Sequence, residues 1–203
     1  MSPLAAGEKI GAMVSTTRRD QSRYTLAARS GGDPILREGV MASISDASVQ
    51  QLLNGRYVAT LGSQNPDATI HMVAVWYWFD GTQIYVATSS RSRKARNLQS
   101  NPKVSLMIDA RDPNASFGAT IMGTALFFSG EESKQKNSQI HRKYLSTAAI
   151  ADPRIGPVFA AWDDVTIQIS PVSVIAWDMR EADRQAFGGA FKGNPTYLLP
   201  LER

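Results

Sequence analysis

The chain has 203 residues, 43% of them hydrophobic, and a formal net charge of +4. This composition is typical of a globular protein with one core, and the basic excess is too small to indicate nucleic acid. The absence of cysteine excludes disulfides, thiolate metal sites and cysteine nucleophiles, and agrees with a cytoplasmic location. His71 and His141, its only histidines, are too few for a histidine-rich metal site, and no apolar run approaches the roughly 20 residues that cross a bilayer.

The first 41 residues differ from the rest of the chain. They contain several Arg, Ser and Thr residues but no sustained apolar period, which favours a flexible extension. The same composition also resembles a transit peptide, and a natural start at Met41 is a third alternative. We therefore expect the main domain to span residues 42–179, with residues 180–203 as a C-terminal extension that packs on the barrel or on a partner.

Between residues 43 and 88 the pattern predicts one short helix followed by strands. The helix runs to Leu53 and is closed by Asn54-Gly55. Asp80-Gly81 is a strong hairpin turn between two of the strands. The predicted strands cover residues 56–61, 69–79 and 83–88.

The remainder alternates between helices and strands. A helix begins near Ser92 and stops at Asn101-Pro102, and a second helix covers residues 131–145. Gly118 and Gly123 mark a bulge or a close backbone approach within a long strand. Strands are predicted at 104–109, 117–128, 165–169 and 172–177, and Ser170-Pro171 is expected to break the last two apart. Residues 111–114 are predicted as a loop and residues 148–157 as a connector. Antiparallel strands with few helices favour a mainly β (α+β) fold in which a six-stranded barrel closes on itself.

The stretch from Thr88 to Leu98 carries the clearest functional signal. A β-rich segment ends at Thr88, and Ser92 is a plausible N-cap for the following helix. A helix start offers unpaired N–H groups and the positive end of the dipole, which suits an anion. Hydroxyl and cationic side chains surround it: Ser89, Ser90, Arg91, Arg93, Lys94 and Arg96. The stretch therefore predicts a phosphate site, with a solvated basic helix start as the alternative.

The order of several short motifs resembles the pyridoxamine 5′-phosphate oxidase-related, flavin-binding split-barrel superfamily. The motifs are RYVATL at 56–61, VAVWY at 73–77, IYVAT at 84–88, SRKARNL at 92–98 and NPKVSL at 101–106. The resemblance covers residues 43–178. It implies a six-stranded antiparallel split β-barrel with a few peripheral helices, which binds FMN or a deazaflavin coenzyme at a homodimer interface.

The resemblance also assigns residues. Arg93 and Lys94 match the pair that holds the cofactor phosphate, and Ala87 and Thr88 match the strand end beside it. The strand that follows the flavin ring and ribityl chain supplies Met72, Val73, Val75, Trp76 and Tyr77. Gly118 and Thr120 lie where the partner subunit approaches the ring, although Gly118 lacks the polar side chain often found there. Ser89, Arg91 and Ser92 are phosphate candidates because of their chemistry.

The expected function is that of an FMN-dependent oxidoreductase acting on an unidentified small molecule. The alternatives are a deazaflavin-dependent reductase and a non-catalytic flavin carrier, and no nucleic-acid or membrane partner is expected. The C-terminal Arg-Leu-His motif of the oxidase proper is missing, since residues 173–180 read SVIAWDMR, so pyridoxamine phosphate oxidation is not predicted. No catalytic residue and no metal ligand is identified.

Four further residues are expected to have structural roles and no role in the site. Trp177 is expected to fill the core, with stacking near the cofactor as the alternative. His141 is expected at the solvated end of a helix. Asp163 and Asp164 are expected in a surface turn that precedes a strand.

Overall fold

The computed structural model describes residues 39–110 and 117–191, together with Asn194 and Thr196. Of the predicted N-terminal extension, only residues 39–41 are among them, and the predicted loop at 111–114 lies outside them. The strands are β1 (Val40–Ala42), β2 (Ala59–Gln64), β3 (Ile70–Val75), β4 (Trp78–Phe79), β5 (Ile84–Thr88), β6 (Lys103–Ala110), β7 (Phe117–Ser129) and β8 (Val165–Asp178). The helices are α1 (Ala47–Asn54), α2 (Arg93–Ser100), α3 (Gly130–Tyr144), α4 (Thr147–Ala151), α5 (Gly156–Trp162) and α6 (Met179–Phe187).

All described strand pairs are antiparallel, in the order β3-β2-β6-β7-β8-β5-β4, and β1 adds to β8. The mainly β class with peripheral helices is confirmed, but the sheet has eight strands where six were predicted. One additional strand is β1. It contains Val40 and Met41, which the sequence-based boundary assigned to the extension.

The prediction of a continuous strand over 69–79 is wrong, because the chain leaves the ladder at Trp76 and Tyr77. The backbone N–H of Tyr77 points to the hydroxyl of Tyr144 at 3.4 Å and not to a neighbouring strand. The side chain of Tyr77 is fully buried, and its hydroxyl lies 3.4 Å from the carbonyl oxygens of Leu52 and Gly55. The two residues therefore connect β3 and β4, which stand at opposite ends of the sheet order.

Strand β8 is continuous, so the predicted break at Ser170-Pro171 is wrong. The register of β7 against β8 shifts between Met122 and Gly123, and Val172 is the extra residue on β8. A proline lacks the N–H of a ladder bond, and a bulge at this point lets the strand continue past it. The bulge predicted at Gly123 is confirmed.

Helices cover the barrel from outside. Val49, Leu52 and Leu53 of α1 are buried in the core, and Leu98 of α2 joins the same cluster. The three predicted helices, one that runs to Leu53, one from near Ser92 to the stop at Asn101-Pro102 and one over residues 131–145, are confirmed within two residues. The predicted connector at 148–157 is wrong, because it contains most of α4 and the start of α5. Among the described residues, no helix has the length and apolar character needed to span a membrane.

Candidate functional site

The turn between β5 and α2 has the cap that the sequence predicts. The hydroxyl oxygen of Ser92 accepts the backbone N–H of Ala95 at 3.2 Å, and Thr88 donates its own hydroxyl to the same oxygen at 3.2 Å. Ser92 therefore uses its oxygen as a double acceptor, and its hydrogen stays available for a ligand. The first N–H groups of α2, on Arg93 and Lys94, have no intrahelical partner. This turn can donate several hydrogen bonds to one anion.

Asp164, the residue directly before strand β8, holds this turn. Its carboxylate accepts the backbone N–H and the hydroxyl of Ser90, each at 2.6 Å. These bonds, the side-chain contact first, lower the pKa of Asp164, so the carboxylate stays ionised at neutral pH. Asp164 was expected only in a surface turn, but in the structure it fixes the predicted phosphate turn.

Beside the turn lies a cavity of about 290 Å³. Four of the residues that the sequence predicts as cofactor ligands line it: Val75, Trp76, Ala87 and Lys94. They come from the end of β3, strand β5 and helix α2, which are separate in sequence. The cavity is also lined by Val58, Ala74, Ile140, His141, Phe159 and Asp163.

Lys94 is the cation of this cavity. Its amine is half-buried, and this burial lowers its pKa, while the nearby charge of Asp163 acts in the opposite direction. Arg91 and Arg93 are exposed and are not among the residues that line the cavity. Of the two residues matched to the phosphate-holding pair, only Lys94 therefore contributes to the cavity wall.

Trp76 forms an aromatic wall of the cavity. Its indole is nearly parallel to the ring of Tyr144, with centroids 4.9 Å apart, and it also stacks on Phe159 at 5.5 Å. The hydroxyl of Tyr144 donates to the carbonyl oxygen of Tyr57 at 2.6 Å, which fixes that ring. The indole is held between two neighbours, and its orientation in the cavity is set by packing.

The other predicted site residues lie elsewhere. Met72 is exposed on the outer face of β3, Val73 packs against the core, and Tyr77 is fully buried in the core. Thr120 lies half-buried on β7, and Gly118 is buried in a second cavity of about 320 Å³. Ser89 and Ser92 are half-exposed in the β5–α2 turn, and Thr88 is buried beside them.

Trp177 belongs to the second cavity and not to the core. It is half-buried and lies directly over Gly118, where an added Cβ would collide with the indole ring. Glycine at this position is therefore explained by the close approach of this ring. Neither Gly118 nor Trp177 lines the cavity that contains Lys94.

His141 and Asp163 were missed as site residues. His141 is largely buried, and its Nε2 atom lies 2.8 Å from Oδ2 of Asp163, both residues lining the Lys94 cavity. His141 lies at a helix end as predicted, but the prediction that it is solvated is wrong. Asp163 lies in the predicted connection before β8 and is half-exposed, but its role in the cavity was not predicted. A usable signal was the polar pair Asn137 and His141, four residues apart on one helix face, because both face the barrel.

The family model described as pyridoxamine 5′-phosphate oxidase matches residues 45–172. No curated protein matches the chain in sequence. Among solved structures, the conserved hypothetical protein Rv2991 of Mycobacterium tuberculosis is 23% identical, with a TM-score of 0.59 over 72% of this chain and 91% of that one. A heme binding protein of Mycobacterium smegmatis is 19% identical, with a TM-score of 0.51 over 68% and 55%. An F420 reductase is 19% identical, with a TM-score of 0.49 over 62% and 94%.

The family model covers more than half of the chain and includes all strands of the barrel except β1 and the end of β8. The solved structures share the fold at low identity. The chain belongs to the pyridoxamine 5′-phosphate oxidase-like family of split-barrel proteins, a family that includes oxidoreductases.

Proposed function

We propose that this chain binds FMN in the Lys94 cavity and uses it to oxidise or reduce a small molecule. The observation that carries the proposal is the convergence of Val75, Trp76, Ala87 and Lys94, from three separate motifs, on one cavity. The composition of that cavity suits a ligand with an anionic end and an apolar, planar body.

The phosphate end fits the donors of the β5–α2 turn. A phosphate presents only acceptor oxygens, while Lys94, the hydroxyl of Ser92 and the first N–H groups of α2 are all donors. The Ser90–Asp164 bonds hold the turn in place before a ligand arrives. Pre-ordering of this kind reduces the entropy lost on binding.

The planar end fits the apolar wall. Trp76, Val58, Val75 and Phe159 give the cavity a largely hydrophobic and aromatic lining with a few polar groups, as is usual for cofactor sites. A volume of about 290 Å³ is at the small end of the range for ligand cavities, about 300–1,000 Å³. One chain therefore encloses only part of such a ligand.

A second copy of the chain is proposed to cover the rest. Directly paired residues of an antiparallel sheet share a face, so Met72 and Ala74 of β3 lie on one side with Met107 of β6 and Thr120 of β7. Met72 is 62% exposed and Ile70 is 61% exposed on this outer face. Ala74 also lines the Lys94 cavity, so the face and the cavity share a border. A homodimer over this face buries the apolar row and closes the cavity.

When bound, FMN supplies the electron-transfer chemistry, and the protein supplies binding and orientation. Lys94 and the α2 start hold the anionic end. Trp76, fixed between Tyr144 and Phe159, positions the planar end, and the apolar wall excludes water.

The direct test is to release and identify the small molecule bound to the purified protein, and to titrate the stripped protein with FMN. The expected result is the absorption spectrum of oxidised flavin and saturable quenching of FMN fluorescence. A colourless protein that binds only a deazaflavin coenzyme makes the deazaflavin reductase correct. Tight FMN binding without any substrate-dependent reduction or reoxidation supports a carrier, and a haem spectrum rejects the flavin proposal.

A further inference from the structure

His141 and Asp163 form a defined hydrogen-bonded pair. His141 lies in the last turn of α3, and Asp163 follows α5 directly. An ionised carboxylate only accepts hydrogen bonds, so the hydrogen of the 2.8 Å contact belongs to Nε2 of the imidazole. The bond assigns the tautomer of His141 and leaves Nδ1 as the atom that gains or loses a proton.

Nδ1 of His141 retains some accessibility, although the residue as a whole is buried. This atom has no hydrogen-bond partner among the described residues, and none of their fully buried side-chain nitrogens or oxygens lacks a partner. Nδ1 is therefore not sealed in the interior. His141 lines two cavities, the Lys94 cavity and a neighbouring one of about 190 Å³, and Asp163 lines both as well. The pair stands in the wall between them.

A buried network holds the pair in position. Asn137, one turn before His141 on α3, donates its amide to the backbone carbonyl of Asp163 at 2.8 Å. Its side-chain oxygen accepts the hydroxyl of Thr166 at 2.6 Å, and Ser133 is 2.9 Å from the same hydroxyl. These three side chains are buried. A network this complete fixes the backbone at Asp163 and thus the orientation of the imidazole.

The charged groups around the imidazole come from each element near it. Lys94 of α2 lines the first cavity, and Lys134 and Arg142 of α3 line the second. Asp163 lines both cavities and lies between them. The ring of Phe159 on α5 packs against the imidazole at 5.6 Å. Histidine oriented by a carboxylate, next to a ligand cavity, is the usual arrangement of a general acid–base residue.

We propose that His141 is the acid–base residue of the Lys94 cavity, where Nδ1 gives a proton to a basic oxygen or nitrogen atom of the bound ligand. The inference rests on the proposed function for the identity of the ligand cavity. The N–H electron pair stays on Nδ1, the ring becomes neutral, and Nδ1 recovers one proton from the solvent.

The experiment uses the fact that the chain has only two histidines. Ring ¹⁵N NMR of the wild type is compared with His141→Gln, Asp163→Asn and the control His71→Gln. The neutral ring of His141 is expected to carry its hydrogen on Nε2 in the wild type and to lose this preference in Asp163→Asn. An Nδ1–H tautomer in the wild type, or an unchanged signal in Asp163→Asn, overturns the inference.

Calorimetry with FMN gives a second readout that does not depend on activity. An acceptor atom beside Nδ1 favours the doubly protonated ring, so FMN binding near neutral pH is expected to take up protons, seen as a dependence of the heat on the buffer. His141→Gln is expected to take up fewer protons than the wild type, and His71→Gln is expected to keep the wild-type uptake. Equal uptake in both variants overturns the inference. If FMN binds neither the wild type nor any variant, the proposed function is rejected. The tautomer of His141 measured by NMR is then the only readout that decides the role of this residue.

Discussion

Ser90 and Asp164 are 74 residues apart in sequence, yet the carboxylate of Asp164 accepts both the N–H and the hydroxyl of Ser90 at 2.6 Å. The neighbouring residue, Asp163, accepts from His141. Asp163 and Asp164, the two residues that precede β8, thus fix groups on two sides of one cavity. One fixes the cationic turn, and the other fixes a histidine.

Asp164→Asn is expected to weaken FMN binding about 3- to 10-fold, because an amide cannot accept both bonds from Ser90 and the turn loses order. The control is Asp152→Asn, which also loses an ionised carboxylate that accepts hydrogen bonds, here half-exposed, but lies away from the cavity. Fluorescence titration gives the affinities. An Asp164 variant with wild-type affinity contradicts a role for this carboxylate in the site.

Lys94→Ala is expected to lower FMN affinity about 10- to 150-fold, the effect of one charge-assisted contact of roughly 1.5–3 kcal/mol. Arg96→Ala removes the same charge from an exposed position on the same helix and is expected to change affinity little. Both proteins are compared by titration after circular dichroism has checked the fold. Equal losses in the two variants would mean that net charge alone, and not the cavity, attracts the ligand.

The affinity for FMN is expected to fall as pH rises, because burial lowers the pKa of Lys94 and the amine loses its charge earlier than an ordinary lysine. The charged form binds the phosphate, so affinity is present below this pKa and lost above it. Lys94→Arg keeps its charge in alkaline solution and is expected to flatten the profile. The same alkaline decline in Lys94→Arg would place the titrating group elsewhere.

Gly118→Ala is expected to destabilise the fold by about 1–3 kcal/mol, the usual cost of overpacking. The new Cβ would collide with the indole of Trp177 and lie 2.8 Å from the carbonyl oxygen of Ile108. Gly62→Ala is the control, because its Cβ would meet nothing closer than 3.7 Å. Thermal and urea unfolding measure the effect. Adding Trp177→Phe should restore part of the stability, and no recovery would reject the indole as the cause.

Met72→Glu is expected to convert the proposed homodimer into a folded monomer with weaker FMN binding, because a charge in the exposed apolar row of β3 opposes burial by a second copy. Ala148→Glu adds the same charge at an exposed position of α4 and should remain dimeric. Light scattering gives the mass. A wild-type protein that is monomeric at all concentrations rejects the interface.

The sequence predicted elements whose local chemistry is sufficient to define them. The Ser92 cap, the stop of α2 before Asn101-Pro102 and the turn at Asp80-Gly81 all depend on neighbouring residues, and all are present. The interruption at Tyr77 and the continuity of β8 past Pro171 depend on Tyr144 and on a register shift against β7. Those partners are distant in sequence, so periodicity alone gave the wrong boundaries.

The candidate site likewise contains residues that local sequence predicted and residues that it did not. The β5–α2 turn is contiguous in sequence, so its motif was sufficient to identify Lys94 as a candidate ligand of the cofactor. His141 and Asp163 reach the cavity only because Asn137 and Thr166 dock α3 on β8, a contact between segments that no short motif joins. Gly118 lies in a separate cavity of the same chain, and its predicted approach to the flavin depends on a second copy.

The connection between β3 and β4 has a consequence for motion. The sheet order of the described strands begins with β3 and ends with β4, so no strand ladder closes the barrel at this point, where Trp76 and Tyr77 connect the two edges. Local opening there breaks no strand ladder, and its free energy is therefore lower than that of global unfolding. Amide hydrogens near this seam should exchange with deuterium faster than those of β7, and a ligand that bridges the seam should slow them selectively.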